Sequence, residues 1–310
     1  MIAFGPVPSR RLGRSLGINH IPPKRCTYSC VYCQIGRTTH MQVARQAFYS
    51  PAEIVSQVRE QVDRVHARGE AVDYLAFVPD GEPTLDANLG QAIEGLRSLD
   101  IPIAVISNAS LLPCPDVRAD LMKADWVSLK VDAVDEPAWR RVDRPRGSLD
   151  LTAILEGALA FARSFQGTLV TETMLVAGVN DDTTQIEGVA RYLDQLRPAT
   201  AYLAVPTRPP AEGWVRAPDE TVLNRAYQIL SEHGARVEYL IGYEGDAFAS
   251  TGDVEADLLS ITAVHPMRED AARAFLVRAG AGQDAIARLV AEGRLVEASY
   301  GEHRFYVRRL

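Results

Sequence analysis

Asp73-Tyr-Leu-Ala-Phe-Val78 is an unbroken apolar run of strand length. Such a run is the pattern of a strand covered on both faces in a parallel sheet. Ahead of it stand the start signals of a helix. Ser50 can cap, Pro51 takes the first helical position, and Glu53 completes a capping box. Ile54, Val58, Val62 and Val65 then recur at helical spacing, giving one buried stripe. Behind the run come a helix over about 85–99 and a second apolar run at 103–106. The alternation continues with helix 117–123, strand 126–131, helix 151–165, strand 168–175, helix 183–196, strand 201–205, helix 219–233 and a last strand at 237–241. Six βα units in succession predict an α/β fold with a parallel sheet, outer helices and right-handed connections. Eight units would close a barrel, so six predict an open, partial (β/α)6 TIM-like barrel.

Thr251-Gly252-Asp253 reads as a boundary, dividing the chain into 1–250 and 251–310. Beyond it the pattern changes to three short helices, 254–262, 269–279 and 283–292. A hairpin follows, 295–298 and 304–307, turning at Tyr300-Gly301-Glu302. Three helices and a hairpin predict a small winged-helix-like domain. From 254 to 310 there are eight arginines and eight acidic residues, and the third helix carries Asp284, Arg288 and Glu292. A DNA reader would be basic there. The tail is therefore expected to bind a peptide or protein, or to lid the barrel, with Arg304, Arg308 and Arg309 leaving a smaller opening for nucleic acid.

The formal charge of −7 argues against bulk attraction to nucleic acid or an anionic membrane, while leaving room for a local basic patch. No apolar run is long enough to span a bilayer, and Met1-Ile-Ala-Phe-Gly-Pro lacks the blocks of a signal peptide. Three of the four cysteines cluster, unlike a secreted disulfide framework. A cytoplasmic location is expected.

The cluster is Cys26-Thr-Tyr-Ser-Cys30-Val-Tyr-Cys33, three soft ligands on one tight loop. Structural zinc takes four protein ligands, whereas an iron–sulfur cubane held by three would keep one iron open. Cys114 could close such a site as a fourth ligand, or be a small buried residue. Other candidates follow the carboxyl ends of strands, where parallel α/β folds place their chemistry. Asp80-Gly81-Glu82-Pro83-Thr84 offers close backbone approach and a carboxylate for an ammonium group, or is a plain turn. Ser107 and Asn108 could bind a ribose or carboxylate, or merely shape their own turn. Lys130 stands in an otherwise apolar strand with Asp132 on the same face, and needs an anionic partner or a wet site. Either Glu172 or its neighbours Thr171 and Thr173 face the interior. Arg10, Arg11 and Arg14 could meet an anion or form a solvated loop, and Gly242-Tyr-Glu-Gly-Asp246 reads mainly as a solvated loop.

The cysteine loop, Gly5-Pro-Val-Pro-Ser-Arg-Arg-Leu-Gly13, Asp80-Gly-Glu-Pro-Thr84, Ser107-Asn108 and Met174-Leu-Val-Ala-Gly-Val-Asn-Asp181 together resemble one group. It is the radical S-adenosylmethionine (radical SAM) proteins related to the wyosine-forming tRNA enzymes, and the resemblance runs from about 1 to 243. It implies a [4Fe–4S] cluster on Cys26, Cys30 and Cys33, with S-adenosylmethionine on the fourth iron. Gly81, Glu82 and Pro83 would serve its amino group, Ser107 and Asn108 its polar edges, Lys130 and Asp132 its methionine end, and the backbone around Tyr32 its adenine. Asp80 departs from the usual first glycine of the Gly-Gly-Glu motif. The implied reaction is reductive cleavage to a 5′-deoxyadenosyl radical that abstracts hydrogen from substrate, with a reductant such as flavodoxin or ferredoxin. The cysteines of a second cluster, which wyosine enzymes carry, are missing here. A small-molecule, peptide or protein substrate is therefore expected ahead of tRNA, and an iron–sulfur redox-sensing regulator is the reading from another class.

Overall fold

The computed structural model describes residues 2–242, 248, 250, 252–282 and 284–309. Of the loop 242–246, all but Gly242 lies outside the described residues. The chain opens with β1 (Ala3–Ser9) and β2 (Gly13–Ile18), then the paired two-residue strands β3 (Arg25–Cys26) and β4 (His40–Met41) that frame the cysteine loop. The alternating region follows as α1 (Pro51–His66), β5 (Tyr74–Phe77), α2 (Leu89–Leu96), β6 (Ile103–Ser107), α3 (Pro115–Leu121) and β7 (Trp126–Lys130). It continues through α4 (Glu136–Val142), α5 (Leu151–Ser164), β8 (Thr168–Met174), α6 (Thr183–Leu196), β9 (Thr200–Ala204), α7 (Glu220–Glu232) and β10 (Val237–Leu240). The tail holds α8 (Val254–Val264), β11 (Met267–Arg268), α9 (Glu269–Arg278), α10 (Asp284–Ala291), β12 (Leu295–Tyr300) and β13 (His303–Arg308).

The large sheet runs β1-β2-β5-β6-β7-β8-β9-β10, parallel from β2 onward, with β1 added antiparallel at one edge. Its ends, β1 and β10, do not pair, so the barrel is partial as expected. Side chains alternate across the strands. Leu75, Phe77, Ile103, Val105, Val127, Leu129, Ala201 and Leu203 point outward into the main core with the helices. Ala76, Ala104, Trp126, Val170, Tyr202 and Ala204 form a separate inner cluster with Leu12, carried on the β1–β2 turn. Three of these inward positions are alanine, which leaves open space on the concave side.

Local signals explain the helix starts. Ser50 Oγ accepts from Glu53 N at 3.1 Å, but the Glu53 carboxylate accepts from Gln57 rather than reaching back, so the expected capping box is only half made. Replacing Ser50 by Ala should cost about 1 kcal/mol, read from the thermal or urea midpoint. Asp135, Asp150, Asp182 and Asp219 cap α4, α5, α6 and α7 in the same way.

Five elements were not anticipated: β1, the two-residue β3 and β4, α4 and β11. The last makes the tail's sheet three-stranded, in the order β11-β13-β12, antiparallel. The tail's core includes Leu258, Ile261, Phe275, Leu276 and Leu289, and also takes in Phe4 and Val7 from β1. Helix α8 is therefore buried all round from Asp257 to Val264. No described helix is long and apolar enough to cross a membrane.

Candidate functional site

The cysteine loop has little regular structure of its own and is held by its neighbours. Lys24 N donates to Asp80 O at 2.8 Å and Glu82 N to Arg25 O at 3.1 Å, stitching the base of the loop to the turn after β5. Val31 N donates to Val142 O, and Arg146 N donates to Thr27 O. On the outer side, Arg37 and Arg144 both pair with the buried Glu212, whose amide donates to Val31 O. Gly81 is demanded by this stitching, because a Cβ there would lie 1.8 Å from the Arg25 carbonyl oxygen.

Cys26, Cys30 and Cys33 all line one cavity of about 290 Å³ at the carboxyl end of the sheet. Burial pushes the Cys26 thiol up to about 12, and raises those of Cys30 and Cys33. Cys30 Sγ lies 3.3 Å from Asp143 Oδ1, and burial likewise raises the Asp143 carboxyl well above the usual range. Cys114 is not on the cavity wall; it is a half-buried residue at the start of α3, packed against the main core.

Gly81, Glu82, Ser107, Asn108, Lys130 and Tyr32 line the same cavity. Glu82 Oε1 accepts from Thr84 N, Thr84 Oγ1 and Ser107 Oγ, while Oε2 takes one bond, from Asn108 N at 2.8 Å. Burial raises its pKa, and those donors oppose the shift. Ser107 thus spends its hydroxyl inside the protein, holding Glu82. Pro83 and Asp132 are off the wall. Pro83 opens a short 3-10 turn and offers its carbonyl to His20, while Asp132 accepts from Tyr32 Oη and from Met174 N.

Of Thr171, Glu172 and Thr173 it is Glu172 that faces the interior, on the same face as Val170 and Met174; Thr173 instead bonds to Val131 O. Lys130 Nζ meets Glu172 Oε1 at 2.7 Å and stands 4.7 Å from the centre of the Tyr32 ring. Arg11 Nη1 meets Glu172 Oε2 at 2.6 Å, its guanidinium lying between the Trp126 and Tyr202 rings. Lys130 therefore has both of the surroundings it needs, an anionic partner and an open cavity. Burial works against its charge, yet Glu172 and Asp132 outweigh burial and hold the ammonium pKa above its usual value. Burial likewise opposes ionisation of Glu172, but Lys130 and Arg11 bring its pKa down to about 2.

One part of the wall went unread. Gln34, Arg208 and Val264 close the rim: Arg208 Nη1 donates to Gln34 Oε1 at 2.7 Å, and Gln34 Nε2 to Val264 O at 2.7 Å. Arg208 follows β9, so the carboxyl-end rule could have found it. Val264 ends α8, and nothing local in the sequence marks it.

Among the described residues, no three His, Cys, Asp or Glu side chains converge closely enough to hold a single metal ion. Three thiols lining one cavity suit a polynuclear cluster whose ligands bind different irons.

Known proteins bear on this arrangement. Residues 20–186 match the radical SAM superfamily. A UPF0026 protein of Methanocaldococcus jannaschii is 44% identical over 311 residues, covering 100% of this chain and 96% of its own length. A UPF0026 protein of Helicobacter pylori is 34% identical over 211 residues, 67% of each chain. A radical SAM methyltransferase from Sphaerobacter thermophilus shares the fold with a TM-score of 0.56 at 18% identity, over 75% of this chain and 69% of that one. TYW1, solved with a lysine–pyruvate adduct bound, does so with a TM-score of 0.53 at 16% identity, over 71% and 73%. With a family match across more than half its length and a full-length relative at 44% identity, the chain belongs to the UPF0026 family of radical SAM enzymes.

Proposed function

We propose that Cys26, Cys30 and Cys33 hold a [4Fe–4S] cluster, and that the cavity beside them takes S-adenosylmethionine and a small-molecule, peptide or protein substrate. The observation that carries this reading is that the three thiols share one cavity wall with Glu82 and Lys130. When bound, cluster and cofactor supply a 5′-deoxyadenosyl radical that abstracts hydrogen from the substrate. The protein's part is to bind, orient and keep water out. Glu82 Oε2, with one internal donor, can accept from the cofactor's amino group, and Lys130, kept cationic, suits its carboxylate. Asp132 acts behind the wall by fixing Tyr32. The electron would come from a flavodoxin or ferredoxin, and a reducing cytoplasm would spare the cluster.

The tail from 251 onward is read as a winged-helix-like module that acts as part of the lid. Val264 on the cavity wall, and its carbonyl bond to Gln34 in the cysteine loop, support that role.

Anaerobic reconstitution followed by reductant and S-adenosylmethionine should yield 5′-deoxyadenosine. Cys26→Ala, Cys30→Ala and Cys33→Ala should each lose the cluster and the product. Cys114→Ala should keep both. Wild-type protein that binds four irons and yet makes no 5′-deoxyadenosine would sink the reading.

A second reading, modification of RNA, is favoured by a patch that the net charge conceals. Arg37 and Arg144 share Glu212, two residues before Trp214, which is 50% exposed. Arg216 donates to Gly213 O and Val215 O, and Arg141 to Gly178 O on the next loop. Arginines beside an exposed indole suit phosphates and a stacked base. Nucleosides from tRNA digests of a deletion strain test it; an unchanged digest counts against it.

A further inference from the structure

Asn108 occupies a position where the family resemblance implies a cofactor contact, yet its amide is committed elsewhere. Its Oδ1 accepts from Ser110 N at 3.0 Å, which fixes which end of the amide is oxygen. The turn that makes this bond passes through Ala109 in the left-handed region, at φ 67°. Nδ2 therefore points the other way, 2.8 Å from Thr27 Oγ1 and 3.5 Å from Cys26 Sγ. An amide nitrogen carries two hydrogens. One goes to the Thr27 hydroxyl and the other to the sulfur. The backbone nitrogen of Asn108 is spent on Glu82 Oε2.

We infer that Asn108 is a positioning residue for the cluster, donating an N–H···S hydrogen bond to Cys26 that raises the cluster's reduction potential. The inference rests on the cluster assignment proposed above. A thiolate ligand gains negative charge when the cluster is reduced, so a donor aimed at its sulfur favours the reduced state. Hydrogen bonds to ligand sulfurs are among the factors that set such potentials. Burial around the sulfur strengthens the effect. Cys26 also receives backbone hydrogen bonds from Thr27 and Tyr28, so Asn108 adds to a set of donors rather than acting alone. It is the side-chain member of that set, and substitution can remove it without breaking the loop's backbone.

The test uses full-length reconstituted protein without S-adenosylmethionine, so that cofactor binding cannot contribute. Midpoint potentials come from EPR-monitored titration, and the Fe–Sγ stretching modes from resonance Raman spectra in H2O and D2O. Asn108→Ala should lower the midpoint potential and shrink the deuterium shift. Asn108→Ser, whose hydroxyl is too short to reach Cys26, should do the same and serves as the milder variant for retention of fold. A variant with full iron content but wild-type potential and deuterium shift overturns the inference. So does a wild-type protein whose Fe–Sγ modes are insensitive to deuterium. Failure of the wild type to bind four irons would instead overturn the cluster assignment, which iron and sulfide analysis reads separately.

Discussion

Glu172→Gln should destabilise the protein by about 3–5 kcal/mol at pH 7, because it leaves two cations, Lys130 and Arg11, facing each other without their anion. All three side chains are at most 18% exposed, so water cannot take over the carboxylate's role. The pH dependence gives an independent check. The Glu172 pKa falls to about 2 in the folded protein, against about 4.3 for an unfolded glutamate. A depressed carboxylate stabilises the fold above the unfolded value, and that stabilisation drains away as pH drops toward the folded one. The shift of roughly two units is worth about 3 kcal/mol. The gap between wild type and Glu172→Gln, measured by urea unfolding, should stay level from pH 7 to about pH 5 and narrow below that. Adding Lys130→Met to Glu172→Gln should recover part of the loss, since it removes one stranded charge. A gap under about 1 kcal/mol at pH 7 would mean the carboxylate is not what holds the two cations together.

The same triad shows where sequence reading succeeds and where it stops. Lys130 stood out because a lysine in an apolar strand needs an explanation that neighbours in sequence do not supply. Glu172 was recognised as a candidate, but its facing depended on the register of β8 against β7, which aligns Glu172 with Lys130. Arg11 comes from a turn 161 residues away, and no periodicity carries that information. The βα alternation was legible because buried parallel strands are apolar throughout and the helices carry capping residues. β1 was hidden for the opposite reason. Ala3–Ser9 contains Pro6 and Pro8, which argue against a strand except at a sheet edge, and the edge is where it lies. α4 had its signals, Asp135 followed by Pro137, but spans only seven residues.

Within the site, residue types were readable and their partners were not. Glu82, Ser107, Asn108 and Lys130 all line the cavity, but Ser107, Asn108 and Asp132 also hydrogen-bond to Glu82, Cys26 and Tyr32 within the protein. Short polar side chains have many local options, and only the three-dimensional neighbourhood decides among them.

Gly81→Ala should have the largest effect on the site itself. The new methyl would sit 1.8 Å from the Arg25 carbonyl oxygen and 3.3 Å from Ile21 Cγ2, so the obstacle is backbone and cannot rotate away. Relief requires the turn to part from the base of the cysteine loop, breaking the Glu82 N to Arg25 O and Lys24 N to Asp80 O bonds together. Overpacking of this kind costs about 3 kcal/mol. Here the strain falls on the two segments that bring Cys26 and Glu82 to one cavity. Even half of that energy, spent on displacing the loop, would lower the cluster-competent population about tenfold. Reconstituted Gly81→Ala should therefore hold a small fraction of the wild-type iron, and its melting temperature should fall. Asp80→Gly separates steric from sequence effects, since it restores the first glycine of the superfamily motif and removes a buried carboxyl whose Oδ1 has no partner. Its contribution to the stitching is the backbone carbonyl that accepts from Lys24 N, which glycine keeps, so iron content should stay unchanged. If Gly81→Ala instead binds iron at wild-type levels, the stitching between loop and turn is not what assembles the site.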